Sequence, residues 1–249
     1  MPYYNYRMQL FYTPDIESDE YTLSSEESRH AIGVLRLRTG DPIWLTDGRG
    51  ILFRAVVVEP SAKASVVRVV ERFPDHGRKP YRLHIAIALT KNTDRYEWFL
   101  EKATEIGVDR ITPIDCDRSQ RRSVKHERSE KVILSAVKQS LKAYVPLLDP
   151  LTSSESFIRS DYGPSLKFIA HCDEKTGDAR RELFRELSAD PGENYVVMIG
   201  PEGDFSPAEV ELAAQNGFIP VSLGESRLRT ETAGIMVASL AMMAQCRTK

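Results

Sequence analysis

The stretch VVMIGPEGDFSPAEVELAAQNGFIPVSLGESRLRTETAGIM, Val196–Met236, decides the fold, because it holds two strand–loop–helix units with a glycine in each loop. Tyr195–Ile199 is apolar and rich in β-branched residues, the pattern of a buried strand. The first loop, Gly200-Pro201-Glu202-Gly203-Asp204, opens onto a complete helix start. Ser206 is the N-cap, Pro207 takes a first helical position where its missing N–H costs nothing, and Glu209 closes a capping box. Gly217 ends that helix. A second strand, Phe218–Leu223, runs into the loop from Gly224 to Thr232, and a helix starts near Thr230. That helix (Ala233, Gly234, Ile235, Met236, Val237, Ala238, Leu240, Ala241, Met242, Met243) has no polar face, which predicts burial against its own sheet and against a second subunit. Two loops at the carboxyl ends of neighbouring α/β strands make a ligand site. Their glycines let the backbone approach a small molecule, while Glu202, Arg229 and Glu231 bring charge to the rim.

Upstream the same alternation continues. Arg82–Leu89 and Arg110–Ile114 read as strands, with a helix over Asn92–Ile106 closed by Gly107 between them. A helix from Glu127 to Tyr144, a strand Leu166–Ala170 and a helix Asp178–Leu187 follow, the signature of a largely parallel sheet. A doubly wound nucleotide-binding fold carries its glycine-rich loop after the first strand; here that position is Thr90-Lys91-Asn92-Thr93, without glycine, which argues against that fold. The run Phe73–Pro80 has linker composition, so the reading divides the chain into residues 1–75 and 76–249. The first part reads as a small β domain with strands Gln9–Tyr12, Ile43–Thr46, Leu52–Glu59 and Ala64–Arg72, a turn at Asp47–Gly50, and a helix Glu26–Leu35 capped by Ser24 or Ser25.

With 34 Lys+Arg against 36 Asp+Glu and a net charge of −2, the chain of 249 residues does not advertise a nucleic-acid binder. Residues 1–80 hold 11 basic and 11 acidic side chains, so any RNA contact needs local concentration. The densest basic run, Arg118–Arg128, sets five Lys/Arg against one acid, as either a solvated loop or an RNA-phosphate surface. Cys116, Cys172 and Cys246 have neither zinc nor disulfide spacing, and no metal is expected. The start MPYYNYRMQLFY carries no secretory signal and no run is long enough to span a membrane, so a cytoplasmic protein is expected.

At GPEGDFSPAEVELA and LGESRLRTETAGI the chain resembles the RsmE family, the 16S rRNA uridine N3-methyltransferases of the SPOUT class, whose usual first loop is GPEGG. The departure is Asp204. KNTDRYEWFLEKATEIGVDRITPI and RHAIGVLRLRTGDPIWLTDGRGILFRAVV are similar to further stretches of that family. The resemblance implies a PUA-like β-barrel ahead of a SPOUT α/β domain with a trefoil knot, acting as a homodimer on 16S rRNA of the small ribosomal subunit. It implies S-adenosyl-L-methionine as the methyl donor, held by His171, Gly200, Pro201, Glu202, Gly203, Leu223, Gly224, Leu228 and Thr230. Arg29, His30, Arg36, Arg38, Lys91, Arg118, Arg121, Arg122, Lys125 and Gln139 are the expected contacts to RNA.

Uracil N3 carries a proton at neutral pH, so methylating it calls for a cation beside the carbonyl oxygens and an acceptor for the proton. Arg229 fits the first role, and Glu231 or Glu202 the second. Alternatively Arg229 and Glu231 form an ion pair that merely holds the loop. Two other readings stand beside this one. Gly200–Gly203 at a helix start could cradle a nucleotide phosphate, although no lysine follows it, or the chain could be an rRNA-binding assembly factor without activity.

Overall fold

A computed structural model describes residues 8–171, 181–189 and 194–246. The chain divides into two compact units: residues up to Arg78 together with Leu134–Val145, and Lys79–Ile133 together with residues from Pro146 onward. The linker composition at Phe73–Pro80 carries no sign of the segment that returns to the first unit.

In the first unit β1 (Leu10–Tyr12), β2 (Glu20–Thr22), β3 (Pro42–Thr46), β4 (Leu52–Glu59) and β5 (Val66–Phe73) form one sheet in the order β1-β3-β4-β5-β2. Only the β1–β3 pairing is parallel. Alternation along β4 turns Phe53, Ala55 and Val57 inward, where they meet Phe11, Leu23, Ile43, Leu45 and Val67. The expected turn between β3 and β4 is held by Asp47, whose Oδ1 accepts from the backbone N–H groups of Arg49 and Ile51 at 2.9 and 3.0 Å. Gly50 has φ +116°, and a Cβ there would lie 2.4 Å from the Tyr144 ring of the returning segment. The expected helix over 26–35 is α-helical only as α1 (Ser25–Ser28), capped by Ser24, and continues as a π-helical turn over Arg29–Val34. Periodicity cannot separate the two forms, because over two turns they bury nearly the same face.

The second unit runs β6 (Arg82–Ala88), α2 (Thr93–Ile106), β7 (Arg110–Asp115), the first part of α3 (His126–Gln139, whose residues from Leu134 belong to the first unit), β8 (Leu147–Leu148), β9 (Thr152–Ser153), α4 (Ser154–Ile158) and β10 (Leu166–Ala170). It continues with β11 (Arg181–Glu182), α5 (Leu183–Ala189), β12 (Asn194–Ile199), α6 (Pro207–Gln215), β13 (Ile219–Ser222) and α7 (Thr230–Cys246). The sheet is parallel throughout, in the order β11-β13-β10-β12-β6-β7-β8, with β9 also on β7. Its middle strands β12 and β6 are buried almost throughout, which is why they read as unbroken apolar runs. Asn92 caps α2 through Asp94 N–H at 2.8 Å, and Gly107 closes it in the left-handed region at φ +114°. The helix expected to reach Tyr144 stops at Gln139, because Leu141 takes φ +55° and turns the chain back. The start of the helix expected over 178–187 lies outside the described residues; α5 begins at Leu183.

Helix α7 packs so close to α2 that a Cβ on Gly234 would lie 2.4 Å from the Phe99 ring. Ala233, Val237, Ala238, Ala241 and Ala244 are buried, but Met242 and Met243 are exposed and Ile235, Met236 and Leu240 half-buried. A single chain therefore covers only one face of a helix whose composition predicted burial all round. Towards the amino ends of the strands, His84 Nε2 lies 2.7 Å from Thr112 Oγ1, and Asp149 takes two hydrogen bonds from Arg110 at 2.7 and 2.9 Å. Burial pushes the His84 imidazole down to about 4, Arg110 pushes the same way, and Asp149 opposes. Burial would raise the Asp149 carboxyl, but hydrogen bonds from Arg110 and Thr112 hold it below its usual range. Cys116 is buried and its thiol pushed up by desolvation. Among the described residues no helix is long and apolar enough to cross a membrane, and no cluster of His, Cys, Asp or Glu could hold a metal ion.

Candidate active site

Strand β12 ends at the first glycine loop, and the expected capping box sets its exit. Ser206 Oγ accepts from Glu209 N–H at 3.2 Å, while Glu209 Oε2 accepts from Ser206 N–H at 2.7 Å. The buried Glu209 carboxylate also accepts from Ser154 Oγ at 2.6 Å and from Asp117 N–H at 3.1 Å, anchoring the loop to α4 and the end of β7. At Gly200 a Cβ would lie 3.0 to 3.2 Å from Phe205, so a side chain there would crowd the turn. Asp204 takes φ +62°, the left-handed conformation natural to the glycine it replaces in the usual motif. Aspartate tolerates it because its own Oδ1 accepts from Phe205 N–H at 2.8 Å.

The second loop leaves β13, and here the structure corrects the sequence reading. Strand β13 is not next to β12, since β10 lies between them, so buried His171 at the end of β10 falls between the two loops. Strand order in a parallel sheet follows long-range pairing rather than chain order. The loops are joined directly all the same. Buried Thr230 donates from Oγ1 to the Gly200 carbonyl at 3.1 Å. Gly224, at φ +117°, has no atom of the described residues, its chain neighbours apart, within 4 Å of its Cβ position, which leaves space beside the second loop.

Glu202 Oε1 accepts from Lys91 N–H at 3.2 Å, while its Oε2 is buried with no hydrogen-bond partner among the described residues. Glu231 is buried and faces Arg95 Nε across 3.7 Å. The alternative pairing of Arg229 with Glu231 does not form: Arg229 is exposed and makes no ion pair among the described residues. The first turn of α7 presents Glu231 to α2, which carries Arg95.

The other predicted residues sort by unit. Arg118 donates to the carbonyls of Gly203 and Phe205 at 2.9 and 3.2 Å, so it braces the first loop; Arg122 pairs with Asp115 at 2.8 Å. Lys91 and Lys125 are exposed, also in the second unit. Arg29, Arg36, Arg38 and Gln139 are exposed and His30 half-buried, all in the first unit. Leu223 and Leu228 are half-buried on the second loop, and Pro201 is buried on the first. Sequence reasoning missed Arg95 and Tyr96, although both lie in the run KNTDRYEW. Among the described residues the Tyr96 hydroxyl and Arg121 Nη1 are buried without hydrogen-bond partners, and Arg121 acts electrostatically on Tyr96. Burial raises the Tyr96 phenol, which keeps it a proton donor. Unmatched polar groups on β6, β7 and β12 exits, three neighbouring strands, are what a polar ligand site leaves behind.

A PUA-like sheet followed by a SPOUT-type α/β domain, with facing glycine loops at the carboxyl edge, defines an RNA methyltransferase. The RNA methyltransferase domain family matches residues 77–242, and the RNA methyltransferase PUA domain family matches residues 23–70. The chain is 41% identical to a probable rRNA-methyltransferase of Porphyromonas gingivalis, with a TM-score of 0.86 over 97% of this chain and 100% of that one. It is 28% identical to the ribosomal RNA small subunit methyltransferase E of Neisseria gonorrhoeae, solved bound to S-adenosyl methionine, with a TM-score of 0.79 over 95% and 96% of the two chains. The enzyme of the same name from Bacillus subtilis is 26% identical, over 90% of each chain. The chain belongs to the RsmE family of RNA methyltransferases.

Proposed function

We propose that this chain transfers a methyl group from S-adenosyl-L-methionine to N3 of a uridine in 16S rRNA of the small ribosomal subunit. The observation that carries the reading is the Thr230–Gly200 hydrogen bond, which clamps the two glycine loops together around the end of β10. The residues fit the methyl donor. Gly224 leaves space beside the second loop, and backbone groups of Gly200, Gly203, Leu223, Gly224 and Leu228 can hold the adenine and ribose. When bound, the sulfonium supplies an already activated methyl group, so the protein's task is alignment and exclusion of water.

Arg229 stabilises negative charge on the uracil carbonyls as the N3 proton leaves. Between the two candidate proton acceptors, the geometry favours Glu202. Glu231 is engaged by Arg95, whereas Glu202 keeps one oxygen without a hydrogen-bond partner among the described residues. Nucleoside mass spectrometry of 16S rRNA from cells with and without the protein tests the reading: 3-methyluridine should disappear with it. Loss of a ribose 2′-O-methyl instead would overturn the N3 assignment, and calorimetric binding of ATP but not of the sulfonium cofactor would restore the phosphate-cradle reading.

The half-covered face of α7, with Met242 and Met243 exposed, supports a homodimer. Sedimentation should give twice the 28.2 kDa chain mass, and a monomer at micromolar concentration would exclude it. Membership of the SPOUT class also carries the trefoil knot, in which the last segment passes through a loop of the same unit. Refolding after full denaturation that is no slower than for an unthreaded domain of this size would count against the knot. A ribosomal substrate places the work in the cytoplasm.

A further inference from the structure

The first unit has a second polar site, unrelated to the glycine loops. A cavity of about 240 Å³ is lined by Glu26, Glu27, Arg29, His30, Val34 and Lys138. Glu27 is 6% exposed. Its Oε1 accepts from Lys138 Nζ at 3.0 Å and from Tyr12 N–H at 3.4 Å, while its Oε2 is buried with no partner among the described residues. A buried carboxylate oxygen left unsatisfied costs stability. A structural ion pair would need nothing beyond Lys138, so the spare acceptor marks a missing donor. The cavity wall is the π-helical turn Arg29–Val34, a backbone form that favours functional positions. Arg29 is exposed and Val34 is 65% exposed at the rim, and His30 presents a half-buried ring packed 5.7 Å from Phe11.

We propose that this cavity receives one unpaired RNA base bearing an exocyclic amino group, adenine or cytosine, with Glu27 accepting the amino N–H. The inference rests on the RNA-directed function above. An aromatic or guanidinium surface takes the face of a splayed-out base, and a carboxylate reads amino donors such as cytosine N4. Lys138 and Arg29 then serve the ring nitrogen acceptor next to that amino group, which both bases have. Uracil offers carbonyl oxygens at the corresponding exocyclic position, and these are repelled by a carboxylate oxygen.

The experiment is fluorescence anisotropy of the full chain with short single-stranded oligoribonucleotides, all-uridine or carrying one central adenosine or cytidine. The wild type should bind the adenosine and cytidine oligomers about tenfold more tightly than the uridine one. In Glu27→Gln the amide oxygen stays with Lys138, so its NH2 replaces the acceptor with a donor, and the preference should disappear or turn towards uridine. Calorimetric binding of S-adenosyl-L-methionine to the same samples separates this inference from the proposed function. Retained cofactor binding without any base preference in the wild type, or a preference unchanged in a folded Glu27→Gln, overturns the cavity assignment alone.

Discussion

Arg229→Ala is expected to lower the rate of methyl transfer to small-subunit rRNA by about 100- to 1,000-fold, the usual consequence of removing one donor from a developing negative charge. The fold should survive. The Arg229 side chain is exposed and holds no ion pair among the described residues, so the melting temperature should stay within about 2 °C of the wild type. Arg229→Lys should fall between the two, since an ammonium keeps the charge but loses the planar fork that can meet a carbonyl edge. Single-turnover transfer of labelled methyl into purified small subunits measures the step directly. Turnover of the alanine variant within about fivefold of the wild type would remove Arg229 from the chemistry and leave it a surface residue.

Stability should depend on His84 just below neutral pH. Unfolded histidine takes up a proton near pH 6.5, whereas folded His84, buried between Thr112 and the Phe157 and Tyr162 rings, does so only at about 4. Between those values the unfolded state binds more protons. The contribution is therefore complete above about pH 6.5 and is lost progressively as the pH falls to 4, amounting to about 3 kcal/mol. The depressed Asp149 carboxyl adds a further loss only at lower pH, below the ordinary carboxylate range. Urea unfolding of the wild type and of His84→Gln, compared at pH 7.5 and 4.5, isolates the effect because all other groups are common to both. The variant should lose less stability on acidification by roughly that amount, and equal losses would show that folded His84 titrates normally.

The capping box, the asparagine and glycine that bracket α2, and the span Leu52–Glu59 were all legible in the sequence. Each rests on interactions within a few residues of chain, so spacing and residue type suffice. The motif glycines likewise mark turns, Gly200 because a side chain there would crowd Phe205 and Gly224 because its φ is +117°. What stayed hidden depends on residues distant in sequence. Nothing in Val196–Met236 tells that β10 inserts between β12 and β13, because the order of parallel strands is decided by crossovers and buried area, not by local pattern. The partner of Glu231 is Arg95, 136 positions away, rather than its near neighbour Arg229, because helix packing, not adjacency, chooses which charges meet. The return of Leu134–Val145 to the first unit brings Lys138 to Glu27 in the same manner. By itself, then, the sequence determined the elements, their ends and the two loops, through short-range hydrogen bonding and apolar spacing. Only the tertiary structure decided which loops are clamped together, which carboxylate keeps an open oxygen and which face of the last helix is left uncovered, since these follow from packing between segments far apart in the chain.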